Sequence, residues 1–143
     1  MADKALNYIG IMRKAGACAT GETDSGAACR GGKAKLLLLA ADASENARHR
    51  AEGFVYGRGI PLVTLPYEKA DLAGILGRGA TSMLAVTDLG LADAVVKALA
   101  AEHREYEAVS ADLGEKLKKE RERKAEQQRH TQNKRFGKRR KKA

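Results

Sequence analysis

The stretch Gly32-Lys33-Ala34-Lys35-Leu36-Leu37-Leu38-Leu39-Ala40-Ala41-Asp42-Ala43-Ser44-Glu45-Asn46 decides how the rest of the chain is read. Leu36 to Ala40 is an unbroken apolar run, so neither of its faces is suited to water. A short run of this kind, bounded by Lys-Ala-Lys and Asp-Ala-Ser, predicts a central strand buried on both faces. A helix start follows: Asp42 stands three residues ahead of Glu45, a capping-box spacing, and Ser44 competes for the same cap. The strand therefore ends in a polar loop at one edge of a sheet, where α/β folds usually meet their ligands.

Working outward, helices and strands alternate on both sides of this strand. Residues 3–15 place Leu6, Ile9, Ile11 and Met12 at mostly helical spacing and predict an amphipathic helix ending before Gly16. Ala17–Thr20 is a short apolar link of strand character. Gly21-Glu22-Thr23-Asp24 then opens a second helix to about Arg30, with carboxylates in its first turn as the helix dipole favours. Gly26 weakens that helix intrinsically, so tertiary contacts must hold it. After the central strand come a helix from about Ser44 to Tyr56, a strand over Ile60–Leu65 and a short helix from about Tyr67 to Leu76. The loop Gly77–Thr81 leads to a strand over Met83–Thr87 and to a further helix capped by Asp88. Strands alternating with helices predict an α/β domain, with helices on both faces of the sheet.

Charge divides the chain's 143 residues. Residues 1–111 hold 13 Lys/Arg and 13 Asp/Glu, whereas residues 112–143 hold 14 basic and 5 acidic side chains, so the whole net charge of +9 lies in the tail. A neutral body with a cationic extension suits a polyanionic partner, nucleic acid first and an anionic membrane surface second. Beyond about Leu117 the apolar periodicity stops, and Phe136 is the one large apolar side chain of residues 118–143. Such a segment buries too little to offset chain entropy and is expected to be disordered when free, after a few helical turns. The division expected is a domain over residues 1–111 and a basic, helical-to-disordered tail over 112–143. No apolar run approaches the roughly 20 residues of a spanning helix, and the N-terminus lacks a signal-peptide core. Cys18 and Cys29 are too few and too loosely spaced for a disulfide framework or a metal knuckle, and are expected to be reduced, partly buried thiols in the cytoplasm.

Catalytic chemistry finds no constellation. His49, His103 and His130 have no Cys or carboxylate pair at ligand or triad spacing. Gly31-Gly32-Lys33 precedes a strand, whereas a phosphate loop follows one, and it lacks the upstream Gly and trailing Ser/Thr. A binding surface fares better. The turn Gly21–Asp24 combines free amides, which suit phosphates, with carboxylates, which accept from base amino groups. Arg13, Lys14, Arg30, Lys33 and Lys35 are near it in sequence and are expected to flank it. Ordinary helix-start charge and a solvated basic surface account for the same residues, and residue types alone leave the two readings open.

Several local motifs in one order carry a resemblance. Gly32-x-Ala34-Lys35-Leu36-Leu37-Leu38-Leu39-Ala40-x-Asp42-Ala43-Ser44, preceded by Gly21-Glu22 and followed by Ile60-Pro61-Leu62, resembles the kink-turn-binding ribosomal protein family of the L-seven-Ae/L-thirty-e type. Ile11-Met12-Arg13-Lys14-Ala15-Gly16 and Ala85-Val86-Thr87-Asp88 look most like its bacterial YlxQ branch. The resemblance spans about residues 4–100 and leaves the tail unmatched. It implies a three-layer α/β/α sandwich with a small mixed sheet that grips a sharply bent RNA internal loop. The family's Gly-x-Asn-Glu-x-x-Lys turn falls on Gly21–Ala27, with Thr23 in place of Asn, Asp24 in place of Glu and Ala27 in place of Lys. The loop Asp42–Arg48, with Ser44 and Arg48, and Lys69 take the places of further family contacts. Arg78-Gly79-Ala80 stands where the family has an apolar loop against a flipped-out base.

The expectation is a non-enzymatic, cytoplasmic, monomeric protein that needs no cofactor or metal and binds structured, kink-turn-like RNA, ribosomal RNA above all, alongside ribosomal proteins. Its contact residues would be Gly21, Glu22, Thr23, Asp24, Arg30, Lys33, Ser44, Arg48, Lys69, Arg78, Gly79 and Ala80. The alternative is a protein-interaction or assembly module whose basic tail alone touches RNA.

Overall fold

The computed structural model describes the backbone of residues 4–76 and 81–142, and the side chains as far as Thr131. Its centre is a four-stranded mixed sheet in the order β1-β4-β2-β3, formed by Cys18–Thr20 (β1), Leu36–Leu39 (β2), Leu62–Thr64 (β3) and Met83–Val86 (β4). β2 runs parallel to β3 and antiparallel to β4, and β1 runs antiparallel to β4. The two inner strands, β2 and β4, are buried at every position.

The four leucines of β2 divide between two cores, because successive side chains of a strand point to opposite faces. Leu36 and Leu38 join Ile9, Met12, Leu72, Val95 and Leu99, while Leu37 and Leu39 join Ala28, Cys29, Ala51 and Met83. The first face is covered by Lys4–Ala15 (α1), Lys69–Leu76 (α4) and Leu89–Glu102 (α5), the second by Glu22–Arg30 (α2) and Glu45–Val55 (α3). The result is the expected α/β/α sandwich. The second core is built from smaller side chains, which brings α2 and α3 close together. At Gly26 an added Cβ would lie 2.8 Å from the Phe54 ring of α3.

The caps correct one expectation. Ser44 Oγ accepts from the Ala47 amide (3.1 Å) and caps α3. Asp42 is not part of that cap: its Oδ1 accepts from the Lys69 amide (2.8 Å), across the loops, at the start of α4. Asp88 caps α5 through the Leu91 amide (2.8 Å), as its position implies.

After α5 a 3-10 turn, Arg104–Tyr106, leads into Glu107–Lys142 (α6), a single helix of 36 residues. Leu113 is fully buried in the first core, and Val109 and Leu117 pack against it. The side chains of residues 121–131 are all exposed. Beyond Leu117, where a few helical turns ahead of a disordered end are expected, the backbone of α6 continues to Lys142. Residues 118–131 are rich in Lys, Arg, Glu, Gln and Ala, good helix formers, and Lys124–Glu120 (3.1 Å) adds an i,i+4 pair.

Candidate functional site

Strand directions bring the expected contact loops to one rim. The ends of β1, β2 and β3 and the beginning of β4 all lie at the same edge, because β4 is antiparallel to both of its neighbours. Backbone hydrogen bonds fasten the loops there: the Gly21 amide donates to Met83 O (3.0 Å), Ala40 to Ser82 O (2.9 Å) and Ala41 to Tyr67 O (2.7 Å). Gly21, Thr23, Asp24, Ser44, Arg48 and Lys69 therefore share one edge of the molecule. Arg78, Gly79 and Ala80, also expected there, lie outside the described residues; Thr81, which follows them, donates from Oγ1 to Met83 O (3.1 Å).

Local geometry divides these residues by what they have left to offer. Gly21 enters α2 at φ 88°, a left-handed conformation natural only to glycine, and gives the helix no side-chain cap. The first-turn amides of α2 are thus open to an outside acceptor, as helix starts leave them. Thr23 and Asp24 are exposed beside them, and Asp24 has no ion-pair partner among the described residues. Glu22 differs: it pairs with Arg50 of α3, a partner that sequence distance concealed. Ser44 Oγ is occupied by its own cap. Arg48 is exposed, and Lys69 is half-buried at the first turn of α4, with its amide held by Asp42. Among its described residues the rim is short of cations. Glu22, Asp24, Asp42, Glu45, Glu68 and Asp71 border it, against Arg48, Arg50 and Lys69.

Arg30 and Lys33 are not at this rim, nor are Arg13, Lys14 and Lys35. α2 carries the chain the length of its nine residues, about 13 Å, from Gly21 to the opposite edge. There the Lys35 amide donates to Val86 O at the end of β4 (2.7 Å), and the Thr87 amide to Ala17 O beside the α1 terminus (2.9 Å). Nearness in sequence misled here, because the intervening helix spans the domain. At that far edge burial pushes the Cys29 thiol above the ordinary value against the opposing pull of Arg58 and Arg30, and does the same to Cys18 against Arg13. Neither thiol is bonded to another. Among the described residues no cluster of three metal-ligating side chains occurs.

Comparison with known proteins places this architecture. The chain is 33% identical over 75 residues to the RNA-binding protein YlxQ of Enterococcus faecium, a match that takes in 52% of this chain and 72% of that one. The chain belongs to the YlxQ family. It is a YlxQ relative of the L-seven-Ae type, in line with the resemblance carried by its central strand and loops. No family model matches the chain. Among solved structures, a Bacillus halodurans protein of unknown function superposes with TM-score 0.63 at 21% identity, over 68% of this chain and 97% of that one. A Giardia lamblia 15.5kD RNA-binding protein superposes with TM-score 0.55 at 20% identity, over 68% and 83%. At such identities the two superpositions speak for the fold, which this YlxQ relative shares with both.

Proposed function

We propose that this chain is a non-enzymatic RNA-binding protein that reads structured, kink-turn-like RNA along the rim formed by the ends of β1, β2 and β3. The observation that carries the reading is the convergence of the uncapped α2 terminus with exposed Thr23, Asp24 and Arg48 and half-buried Lys69 on one edge. Open amides donate to a phosphate or a base carbonyl, and a carboxylate accepts from base amino and imino groups. The name of the YlxQ relative supports RNA as the partner class. In this reading the RNA is ribosomal and the chain works in the cytoplasm. Among the described residues no helix is long and apolar enough to cross a membrane. Residues 1–111 act as the body, and the helix beyond Leu117 as a cationic arm.

The rim's composition favours selection over attraction. Its carboxylates repel phosphates that make no specific contact, so a folded RNA that offers base edges gains over an unstructured one. Gel-shift titration of the full chain against a kink-turn RNA and a loop-mutated control tests this. The kink-turn should bind more tightly, and Asp24→Ala should narrow the gap by about 1–3 kcal/mol, the usual worth of one base-reading contact. Equal affinities for the two RNAs in the unaltered chain would sink the proposal.

A further inference from the structure

The described residues of the rim are poor in cations, which leaves open where the phosphates of a bound RNA are met. The far edge of the sheet supplies an answer. Between that edge and α6 lies an open groove of about 670 Å³. Its body wall presents Arg30, Lys35 and Arg58 over a floor of Cys29, Ala34 and Ile60. Its other wall is one stripe of α6, namely Lys116, Lys119, Glu120, Arg123, Lys124 and Gln127. The increments of three and four residues place these six on one helix face.

Seven cations thus face one carboxylate, and Glu120 is taken by Lys124 (3.1 Å). Lys116 is engaged in holding the walls together, donating to Gly59 O (2.9 Å) and pairing with Asp112 (3.3 Å). Arg30 lies over the Phe54 ring, and Arg58 Nε donates to Phe54 O (3.0 Å), so both guanidiniums are positioned by the body. Lys35, Lys119 and Arg123 have no carboxylate partner among the described residues. Like charges brought together without counter-charges are unfavourable unless an anion comes between them. Two residues before Arg58, Tyr56 is 85% exposed. Tyr56 does not itself line the groove, but an exposed aromatic side chain two residues along the chain from a cation of the groove is within the combination that holds single-stranded nucleic acid: phosphates in a cationic channel, a base on a ring.

We infer that the groove between α6 and the far sheet edge is a second RNA site, which takes a single-stranded segment by its phosphates and stacks one base on Tyr56. It rests on the RNA-binding reading but not on the rim. The two edges then divide the work, one selecting a fold and the other supplying affinity.

The test uses the full chain and a labelled oligouridylate of about 12 nucleotides, within the usual site sizes of single-strand binders. Lys35→Gln/Lys119→Gln/Arg123→Gln removes three groove cations. Lys4→Gln/Lys118→Gln/Arg121→Gln removes three from the other side of α6, where Arg121 lines clefts with Lys4 and Lys118. With anisotropy followed against salt, the groove triple should flatten the slope of log affinity by about 2, at roughly 0.7 per phosphate on a single strand, and the control by less than half of that. Equal flattening by the two triples overturns the groove. So does a failure of the unaltered chain to bind, or a groove triple that loses binding to phosphatidylserine vesicles while its RNA slope stays unchanged. Tyr56→Ala should weaken oligouridylate binding about tenfold and leave a blunt RNA duplex unaffected, since stacking needs an unpaired base; equal effects on both overturn the stacking assignment. Unchanged thermal unfolding of each variant certifies its fold. The rim reading fails on a different observation, equal affinity for kink-turn and control, so the two failures cannot be confused.

Discussion

Single residues set the tolerances of both helical layers. Gly26 illustrates it: read from sequence, it is a weak point in a helix, while in the fold it is the notch that receives Phe54. Gly26→Ala gains helix propensity but drives a methyl into the ring, and overpacking of this kind costs about 1–3 kcal/mol. Urea denaturation should show that loss, and Phe54→Leu in the same chain should restore part of it. A purely propensity-driven position would be stabilised by the alanine instead. Ala27 offers the converse case. It is exposed on the first half of α2, so Ala27→Lys adds a cation beside the described part of the rim, which is poor in them. Binding to kink-turn RNA should then depend more steeply on salt, by about one unit of slope, and an unchanged slope would place Ala27 away from the RNA.

Elements are held by contacts that cross long stretches of chain, and these are the contacts sequence reading missed. The run Leu36–Leu39 was legible because burial on both faces leaves no polar position to interrupt it. Ser44 and Asp88 were legible because a cap acts within three residues. Asp42 was not: its spacing to Glu45 fits a local cap, yet its carboxylate is spent on Lys69, and no local pattern signals a partner 27 residues away. Asp42→Ala should therefore cost about 1 kcal/mol by uncapping α4 rather than α3. Hydrogen exchange should speed up in the first turn of α4 and hardly change in that of α3. Arg30, Lys33 and Lys35 were misplaced for a related reason, since adjacency in sequence says nothing about which end of a helix faces which edge. α6 depends on Leu113, which is fully buried. Leu113→Ala should cost about 2–5 kcal/mol. It should also release the groove wall, so that protease cleavage within residues 107–117 becomes fast. For the same reason a chain ended at Ala111 loses part of its core, whereas one ended after Lys118 keeps it.

At the scale of the whole molecule, the buried ionisable groups set how stability responds to alkali. The Tyr106 hydroxyl donates to Thr64 O (2.7 Å), linking the turn before α6 to β3. Burial, and then the nearby Glu105, hold its pKa above that of a free tyrosine. Cys18 and Cys29 are shifted in the same direction by burial. Each of these groups is favoured in its neutral form by folding. Its contribution is therefore fully present below the unfolded pKa and is lost as pH rises through the folded one. These groups should make denaturation midpoints fall across the alkaline range, and Tyr106→Phe should flatten that fall; an alkaline decline left unchanged by Tyr106→Phe would contradict the assignment.

The length of α6 has a consequence of its own. Thirty-six helical residues extend about 54 Å at 1.5 Å each, roughly twice the breadth of a hundred-residue body. A rod fixed at Leu113 works as a ruler: it holds Arg121, Arg123, Lys124 and Arg129 at set distances from the sheet. The stretch of transcript shielded from nucleases would accordingly shorten in steps as whole turns are deleted from that rod, even where the grip of the body is untouched.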